Sequence, residues 1–264
     1  MTGPIITLLT DFGTRDGYVA AMKGVILDIV PNAVLVDAGH DVQAHDIQAA
    51  GWALAQYAFT FPAGTLHLAV VDPGVGSSRD LLVATASNRI FLAPNNGLLH
   101  WVTRSAAGFS VHRIRDDICR PEGKSTTFHG RDILAYAAGR LARGFDTIDS
   151  MTEPLEELVI PDWGEVRSQG GMLVGEVIHV DRFGNLITNV QRPHLQETRW
   201  RTLTIQAGGG IISGIQKAYS DVRRGEPLAL FGSHDHLELA VNRGSAAESM
   251  GLKRGARVLV QIEL

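Results

Sequence analysis

Residues 5–29, IITLLTDFGTRDGYVAAMKGVILDI, contain one complete strand–turn–helix unit. Ile5–Leu9 is a short apolar run typical of a buried strand, and an acidic, glycine-containing turn follows it. Apolar residues then recur at helical spacing from Tyr18 to Ile29, and Pro31 ends the predicted helix. A strand that leads directly into an amphipathic helix is the building unit of α/β sheets.

The same order repeats along the first half of the chain. Residues 33–36 (AVLV) read as a second strand, Asp46 can cap a second helix, and Leu66–Val71 reads as a third strand. Helical patterns around residues 96–104 and 130–143 continue the alternation. We therefore predict an α/β N-terminal domain with a central, mostly parallel sheet.

The pattern changes near Pro154–Gly171, a stretch rich in proline, glycine and charge that is typical of a linker. The segments beyond it are short and strand-like, and glycine-containing turns separate them. This pattern predicts a smaller all-β, barrel-like C-terminal domain. The predicted division is an α/β domain over residues 1–160, a linker over 161–171 and the β domain over 172–264.

Composition excludes several classes of protein. Hydrophobic residues make up 45% of the chain and charged residues 20%, which indicates a globular protein, and a net charge of -4 without a basic block argues against nucleic-acid binding. Cys119 is the sole cysteine, so a cysteine-rich zinc site is excluded and a reducing, cytoplasmic setting is expected. Residues 47–71 carry no Asp, Glu, Lys or Arg, yet polar residues and Pro62 interrupt the run. A helix, a turn and a buried strand explain it better than a membrane span, and the start MTGPIITLLTDFG lacks the basic region of a signal peptide.

Three acidic residues follow predicted strands. Asp11 follows the first, Asp37 the second and Asp72 the third. Ligands of open α/β sheets bind beyond the carboxyl ends of strands, so three such acids favour a site there. Each one taken alone is more typical of a turn carboxylate that caps backbone N–H groups.

The stretch 70–80, VVDPGVGSSRD, looks at first like a phosphate-binding loop. Its glycines lead into the apolar run 81–84 rather than into a helix, so a phosphate cradle is not favoured. A metal site built from Asp37, His40 and His45 is a second alternative, although these residues lack the helical spacing of a zinc-binding pair.

His129 precedes a predicted helix, where the helix dipole favours a neutral imidazole that can accept or relay a hydrogen bond. A histidine that only caps or packs against that helix is the other interpretation.

Six segments in order resemble the S-adenosyl-L-methionine hydroxide adenosyltransferases, whose relatives include enzymes that form carbon–fluorine and carbon–chlorine bonds on the same substrate. The resemblance spans nearly the whole chain and rests on TDFGTRDGYVAAMKG, VDPGVGSSR, APNNGLL, FHGRD, VDRFGNLITN and GSHDHLELAVN.

The resemblance implies hydrolysis of S-adenosylmethionine to adenosine and L-methionine, with no cofactor and no metal. It implies that Asp72, Arg79 and His129 handle the attacking water. The halogenating relatives lack this aspartate, and a carboxylate would repel a halide while holding a water, so Asp72 favours hydrolysis. Methionine leaves the sulfonium centre as a neutral thioether. A dry, mostly apolar pocket with few fixed charges would favour the reaction of a hydroxide-like nucleophile with the positive sulfonium.

The resemblance also implies the substrate contacts. Asp11 resembles the acid that receives both ribose hydroxyls, and Asn185 the amide that reads the adenine edge. His234 stands where fluorinating relatives carry an arginine, and His45 replaces one of their aromatic residues. The remaining implied substrate-binding residues are Asp16, Asp181, Phe183, Ser233, Val241 and Asn242.

The family further implies a homotrimer with sites between subunits, a small-molecule substrate, and neither a nucleic-acid nor a membrane partner. A nucleoside or S-adenosylmethionine sensor without turnover is the alternative function, in which Asp72 and His129 are structural.

Overall fold

The computed structural model describes residues 3–195 and 200–261. They fall into two compact units, Met1–Pro161 and Asp162–Leu264. No helix in these two described ranges has the length and apolar character needed to cross a bilayer.

The first unit is a sheet with helices on both faces. Its strands are β1 (Ile5–Thr10), β2 (Val34–Gly39), β3 (Leu66–Val70), β4 (Leu81–Ala86), β5 (Arg89–Pro94), β6 (Ser110–Ile114) and β7 (Thr152–Pro154). Its helices are α1 (Tyr18–Ile29), α2 (Ile47–Ala58), α3 (His100–Ser105), α4 (Tyr136–Arg143) and α5 (Ile148–Met151), and a π-helical turn over Gly130–Ala135 leads into α4.

The sheet is mixed, with strand order β2-β1-β3-β5-β4-β6-β7. Within the described part, β1 pairs in parallel with β2 and β3, and β3 with β5, whereas β4, β6 and β7 join antiparallel. The prediction of a mostly parallel sheet is therefore wrong. The cause is a two-residue hairpin between β4 and β5, in which Ser87 and Asn88 take positive φ angles of 47° and 60°.

Two apolar layers sandwich the sheet. Helix α1, the π-helical turn and α4 bury Met22, Leu134 and Ala137 against one face, where Ile6 and Val70 point. Helices α2 and α3 cover the other face, and Asp46 caps α2 by accepting a hydrogen bond from the backbone N–H of Ala49, as predicted. The uncharged run 47–71 is thus α2, a turn and the buried strand β3, as expected.

Because β2, β1 and β3 are parallel neighbours, their carboxyl ends lie at one edge of the sheet. Asp11 and Asp72 follow β1 and β3 at this edge. Asp37 lies inside β2, opposite Leu8, because this strand continues to Gly39.

The second unit is a nearly closed antiparallel barrel, as predicted for its fold class. Its strands are β8 (Arg167–Gln169), β9 (Met172–Val180), β10 (Leu186–Gln191), β11 (Thr204–Ala207), β12 (Gly210–Ser213), β13 (Pro227–Phe231), β14 (His236–Val241) and β15 (Arg257–Gln261), with short helices at Arg192–Leu195, Tyr219–Asp221 and α6 (Ala246–Met250).

The strand order of this second unit is β12-β11-β15-β9-β10-β14-β13, and β8 pairs with β9 outside this path. Just beyond the edge strand β12, the N–H of Gln216 donates to the carbonyl of Ala229 in the opposite edge strand at 2.7 Å, which draws the two edges together. Residues 167–169 form β8, although they lie inside the predicted linker 161–171.

Candidate active site

The loop between β3 and β4 folds back on itself through two tight turns. The N–H of Val75 donates to the carbonyl of Asp72 at 3.2 Å, and the Ser77 hydroxyl donates to the carbonyl of Gly74 at 2.7 Å. Gly76 has a φ of +84°, and a Cβ there would lie 2.5 Å from the carbonyl oxygen of Thr126. Only glycine fits both constraints, so this residue shapes a bend rather than a phosphate cradle.

The bend brings Arg79 onto Asp72. The guanidinium donates from Nε to Oδ1 at 2.5 Å and from Nη2 to Oδ2, which is a bidentate pair. The side chains of Asp72 and Arg79 are 5% and 10% exposed, so water screens this pair weakly. Arg79 is thereby held in one orientation.

His129 lies on the far side of the guanidinium. Its Nδ1 is 3.4 Å from Nη2 and 3.5 Å from Nη1 of Arg79. Burial and then the charge of Arg79 lower the pKa of His129, so the ring is neutral near pH 7. A guanidinium has no acceptor, hence Nδ1 accepts and Nε2 carries the proton of the neutral ring. From the sequence, we expected the helix dipole to keep His129 neutral. In the structure, burial is the largest cause of its lowered pKa.

A cavity of about 310 Å³ borders Arg79 and His129. It is not the mostly apolar pocket that the chemistry led us to expect, because charged side chains line it. Several of these charges are paired, as in the contact of 2.5 Å between Arg113 and Glu153. The other charged lining residues are Asp80, Arg115, Asp116 and Lys124.

Asp11 lies in the turn after β1. Its Oδ2 accepts the backbone N–H of His45 at 2.8 Å, and His45 itself has a left-handed φ of 69°. Asp16 lies in the same connection and is exposed.

An aromatic cluster formed by Phe12, Tyr18 and Phe128 joins this turn to the segment that carries His129. The ring centroids of Tyr18 and Phe128 are 5.3 Å apart, and Tyr18 is 51% exposed. The sequence analysis did not assign these rings a role, although they lie inside motifs that it singled out. An exposed aromatic ring beside two candidate site loops is suited to contact an apolar part of a ligand.

The proposed metal ligands do not form a metal site in the described residues. Asp37 Oδ1 contacts His40 Nε2 at 2.9 Å, and its Oδ2 accepts from the ammonium of Lys23 at 2.7 Å. His45 contributes its backbone N–H to Asp11 instead. Over residues 3–195 and 200–261, no group of three or more His, Cys, Asp or Glu side chains is arranged to hold a metal ion.

The second unit holds a tight turn between β9 and β10. Asp181 accepts backbone N–H groups of Phe183 and Asn185 with Oδ1, at 2.8 and 2.9 Å, and the Asn185 amide with Oδ2, at 2.9 Å. Gly184 has a φ of +81°, and a Cβ there would lie 2.1 Å from Oγ of Ser245. The turn leaves Phe183 75% exposed while Asn185 is buried. A large exposed ring on a rigid turn is a natural ligand contact.

The remaining predicted residues of this unit lie around β14. The hydroxyl of Ser233 is 3.0 Å from Nδ1 of His234, and the Asn242 amide donates to the carbonyl of Val222 at 2.8 Å. Val241 is 6% exposed and packs in the core of the unit.

Glu238, which the sequence analysis did not consider, is buried in β14 and accepts the Tyr219 hydroxyl at 2.6 Å. Burial raises the pKa of Glu238, and the charge of Asp181 contributes in the same direction.

Comparison with known proteins decides the family. Residues 6–151 match the model of the SAM hydroxide adenosyltransferase N-terminal domain, and residues 175–259 match that of the C-terminal domain. The chain belongs to the SAM hydroxide adenosyltransferase family.

Curated relatives cover nearly the whole of this SAM hydroxide adenosyltransferase. An (R)-S-adenosyl-L-methionine hydrolase from Thermus thermophilus is 36% identical, over 96% of this chain and 98% of the relative. A protein of the same name from Salinispora tropica is 35% identical over 97% of each chain. A fluorinase from Nocardia brasiliensis is 28% identical over 98% of this chain and 97% of its own.

A solved structure has the same fold. The crystal structure of a conserved protein from Thermotoga maritima superposes with a TM-score of 0.87 at 31% identity, over 97% of this chain and 99% of that one.

In this family member, the structure brings Asp72, Arg79 and His129 into one contact group within the first unit. Asp11 lies at the same sheet edge as Asp72. In the second unit, Phe183 and Asn185 lie in the Asp181 turn and Val241 lies in the core. Ser233, His234 and Asn242 flank β14.

Proposed function

We propose that this protein hydrolyses S-adenosyl-L-methionine to adenosine and L-methionine, by displacement at the ribose C5′ with water. The observation that carries the proposal is the contact group of Asp72, Arg79 and His129 in the first unit. Full-length relatives named (R)-S-adenosyl-L-methionine hydrolase support the same reaction and the same sulfonium configuration.

In this reaction the nucleophile needs assistance from the protein, whereas the leaving group does not. A C5′–O bond forms while the C5′–S bond breaks, and the bonding pair stays on sulfur as methionine leaves as a neutral thioether. No general acid is needed for this leaving group. Water is a weak nucleophile, so the protein must orient it toward C5′ and accept its proton during or after attack.

The geometry suits the three side chains to different roles. Both oxygens of Asp72 contact Arg79, which suits Asp72 to orient the guanidinium and to aim a lone pair at the water. The Nη atoms of Arg79 and the Nε2–H of His129 are donors that can stabilise oxygen as it becomes hydroxide-like. The Asp72 carboxylate accepts one proton of the water as the C5′–O bond forms, so the attacking oxygen becomes hydroxide-like and the product is the neutral alcohol.

Asp72 also bears on the choice between water and halide. A buried carboxylate 5% exposed would repel a halide ion in the same position, whereas it can accept a hydrogen bond from water. This favours hydrolysis over the halogenation carried out by fluorinase relatives, which are 28% identical or less among those compared.

Substrate contacts follow the family pattern in the proposal. Asp11 receives the ribose hydroxyls, Asn185 reads the adenine edge and Phe183 covers the base. Asp16 and Asp181 attract the methionine ammonium, although the Asp181 oxygens already accept three hydrogen bonds in their turn. Ser233, His234, Val241 and Asn242 complete the substrate-binding set, in which Val241 is 6% exposed.

We further propose that the protein acts in the cytoplasm as a homotrimer, with sites between subunits and without a metal or cofactor. Light scattering on the purified protein tests the trimer. Unchanged turnover after exhaustive chelation tests metal independence, and its loss followed by recovery with a divalent cation would favour the metal-dependent alternative.

The decisive test of function is chromatography of S-adenosylmethionine incubated with the purified protein, compared between Asp72→Asn and Asp80→Asn variants. Asp80 lies in the same loop, and its carboxylate forms an ion pair with Arg113, at 3.8 Å. Adenosine and methionine should appear with wild type and Asp80→Asn, and be lost with Asp72→Asn while calorimetry still detects binding. Tight binding without product over hours in wild type would instead support a sensor.

A further inference from the structure

Two loops that carry candidate ligand contacts meet beyond the ends of β1 and β2. The parallel register of these strands shifts between Leu8 and Leu9, where Leu8 pairs with Asp37 and Leu9 with Gly39. Pairing with β2 therefore ends at Leu9, whereas Thr10 still pairs with Val70 of β3, so other contacts must hold the β2 side of the turn that contains Asp11.

A chain of hydrogen-bonded polar groups connects the two loops beyond Leu9. Thr10 Oγ1 lies 2.9 Å from Nδ1 of His40, and Nε2 of the same ring lies 2.9 Å from Oδ1 of Asp37. The carbonyl of His40 accepts the N–H of Gly13 at 2.8 Å, and Thr10 Oγ1 accepts the N–H of Phe12 at 3.3 Å. His40 thus holds the turn through both its side chain and its backbone.

One arrangement of protons satisfies all of these groups. A carboxylate can only accept, so Nε2 of His40 donates to Asp37, and Nδ1 is free to accept from the Thr10 hydroxyl. The lone pairs of that hydroxyl then receive the Phe12 N–H. Thr10 has no exposed surface and His40 is 6% exposed, so an unmade bond here would leave a desolvated polar group.

We propose that Thr10 and His40 are positioning residues that fix the Asp11 carboxylate for the two ribose hydroxyls, an assignment that rests on the proposed function. Asp11 lies between Thr10 and Phe12, both of which join this chain of hydrogen bonds. From the other loop, the N–H of His45 anchors Oδ2 of Asp11 at 2.8 Å. Bidentate recognition of a diol needs a carboxylate in one orientation, which these contacts supply.

The first unit contains a matched pair of the same chemistry at another position of the same strand. Thr7 Oγ1 lies 2.8 Å from Nδ1 of His67, and both residues have no exposed surface. Thr7→Val and Thr10→Val each remove one buried threonine–histidine hydrogen bond from β1. Only the second variant removes a contact to the Asp11 turn.

The experiment measures steady-state hydrolysis of S-adenosylmethionine and the affinities for adenosine and 2′,3′-dideoxyadenosine. Thr10→Val should raise KM about tenfold and change kcat less than about threefold, the size expected for one well-aligned hydrogen bond. The preference for adenosine over its dideoxy analogue should fall about tenfold as well. Thr10→Ser, which keeps the hydroxyl, should restore both, and Thr7→Val should change KM and the preference less than about twofold.

The outcomes separate this proposal from the proposed function. An unchanged adenosine preference in Thr10→Val, or an equal change in Thr7→Val, would overturn the positioning role even if wild type hydrolyses S-adenosylmethionine. Adenosine binding by wild type without hydrolysis would overturn the function alone. Failure of wild type to distinguish adenosine from its dideoxy analogue would overturn the role assigned to Asp11, and the positioning role with it.

Discussion

His67 lies in the middle of β3 with no exposed surface, and its ring stacks on Phe91 at a centroid distance of 5.0 Å. The rings of Tyr57 and Phe61 approach it edge-on at 5.7 and 5.8 Å. Burial, and then the charge of Arg89, lower the pKa of His67 from 6.5 to about 4. The folded protein therefore holds this imidazole neutral under conditions in which the unfolded chain protonates it.

The sign of the effect follows from proton binding. Below pH 6.5 the unfolded chain binds a proton that folded His67 does not, so the free energy of unfolding falls as the pH falls toward 4. At pH 4.5 the loss relative to pH 7 is about 2.5 kcal/mol from this group alone, at 1.36 kcal/mol per unit of pKa shift less the fraction already protonated in the fold. Below the folded pKa the contribution levels off.

The perturbation is His67→Gln, which removes the titration but keeps a polar side chain opposite Thr7. Urea unfolding followed by tryptophan fluorescence at pH 7 and pH 4.5 gives the free energy of unfolding of each protein. The variant should be less stable than wild type at pH 7, and the gap should shrink or reverse by about 2.5 kcal/mol at pH 4.5. His112→Gln, in the partly buried strand β6, controls for loss of an imidazole from the same sheet. An equal loss of stability in wild type and His67→Gln over this range would refute the reasoning.

Three further predictions concern the candidate site. Gly76→Ala meets both a φ of +84° and the Thr126 carbonyl at 2.5 Å, so it should cost roughly 1–3 kcal/mol of stability and reduce turnover by displacing Arg79; an unchanged melting temperature would contradict the strained bend. Because burial and the charge of Arg79 lower the pKa of His129 below 6.5, the midpoint of the acid-side decline in kcat/KM should lie below pH 6.5, and a midpoint at or above 6.5 would argue against a neutral imidazole. Phe183→Ala should leave the melting temperature unchanged, since the ring is 75% exposed, and raise KM roughly fivefold, the equivalent of about 1 kcal/mol of stacking on adenine; normal KM would exclude contact with the base.

Local patterns predicted the elements that are long or strongly periodic. The apolar run of β1, the helical spacing of α1 and the Asp46 cap of α2 all appear in the structure as expected. These features depend on residues close in sequence. The mixed sheet was missed because its direction depends on the Ser87–Asn88 turn, whose left-handed conformation carries no glycine signal.

The candidate site was likewise predictable only where local sequence patterns determine it. The acids after β1 and β3 could be predicted to share an edge, because consecutive strands of α/β sheets are usually parallel neighbours. The aromatic cluster of Phe12 and Phe128 could not, since its members are far apart in sequence and meet only through the packing of the sheet edge. The hydrogen bond from the Tyr219 hydroxyl to the buried Glu238 was missed for the same reason.

The central claim is that a water molecule, held by Asp72, Arg79 and His129, attacks the ribose C5′. Mass spectrometry of the products formed from S-adenosylmethionine in oxygen-18 water tests it most directly. Attack by water at C5′ should place one labelled oxygen in adenosine, at the 5′ hydroxyl, and none in methionine beyond background. Label in methionine, or unlabelled adenosine, would contradict it.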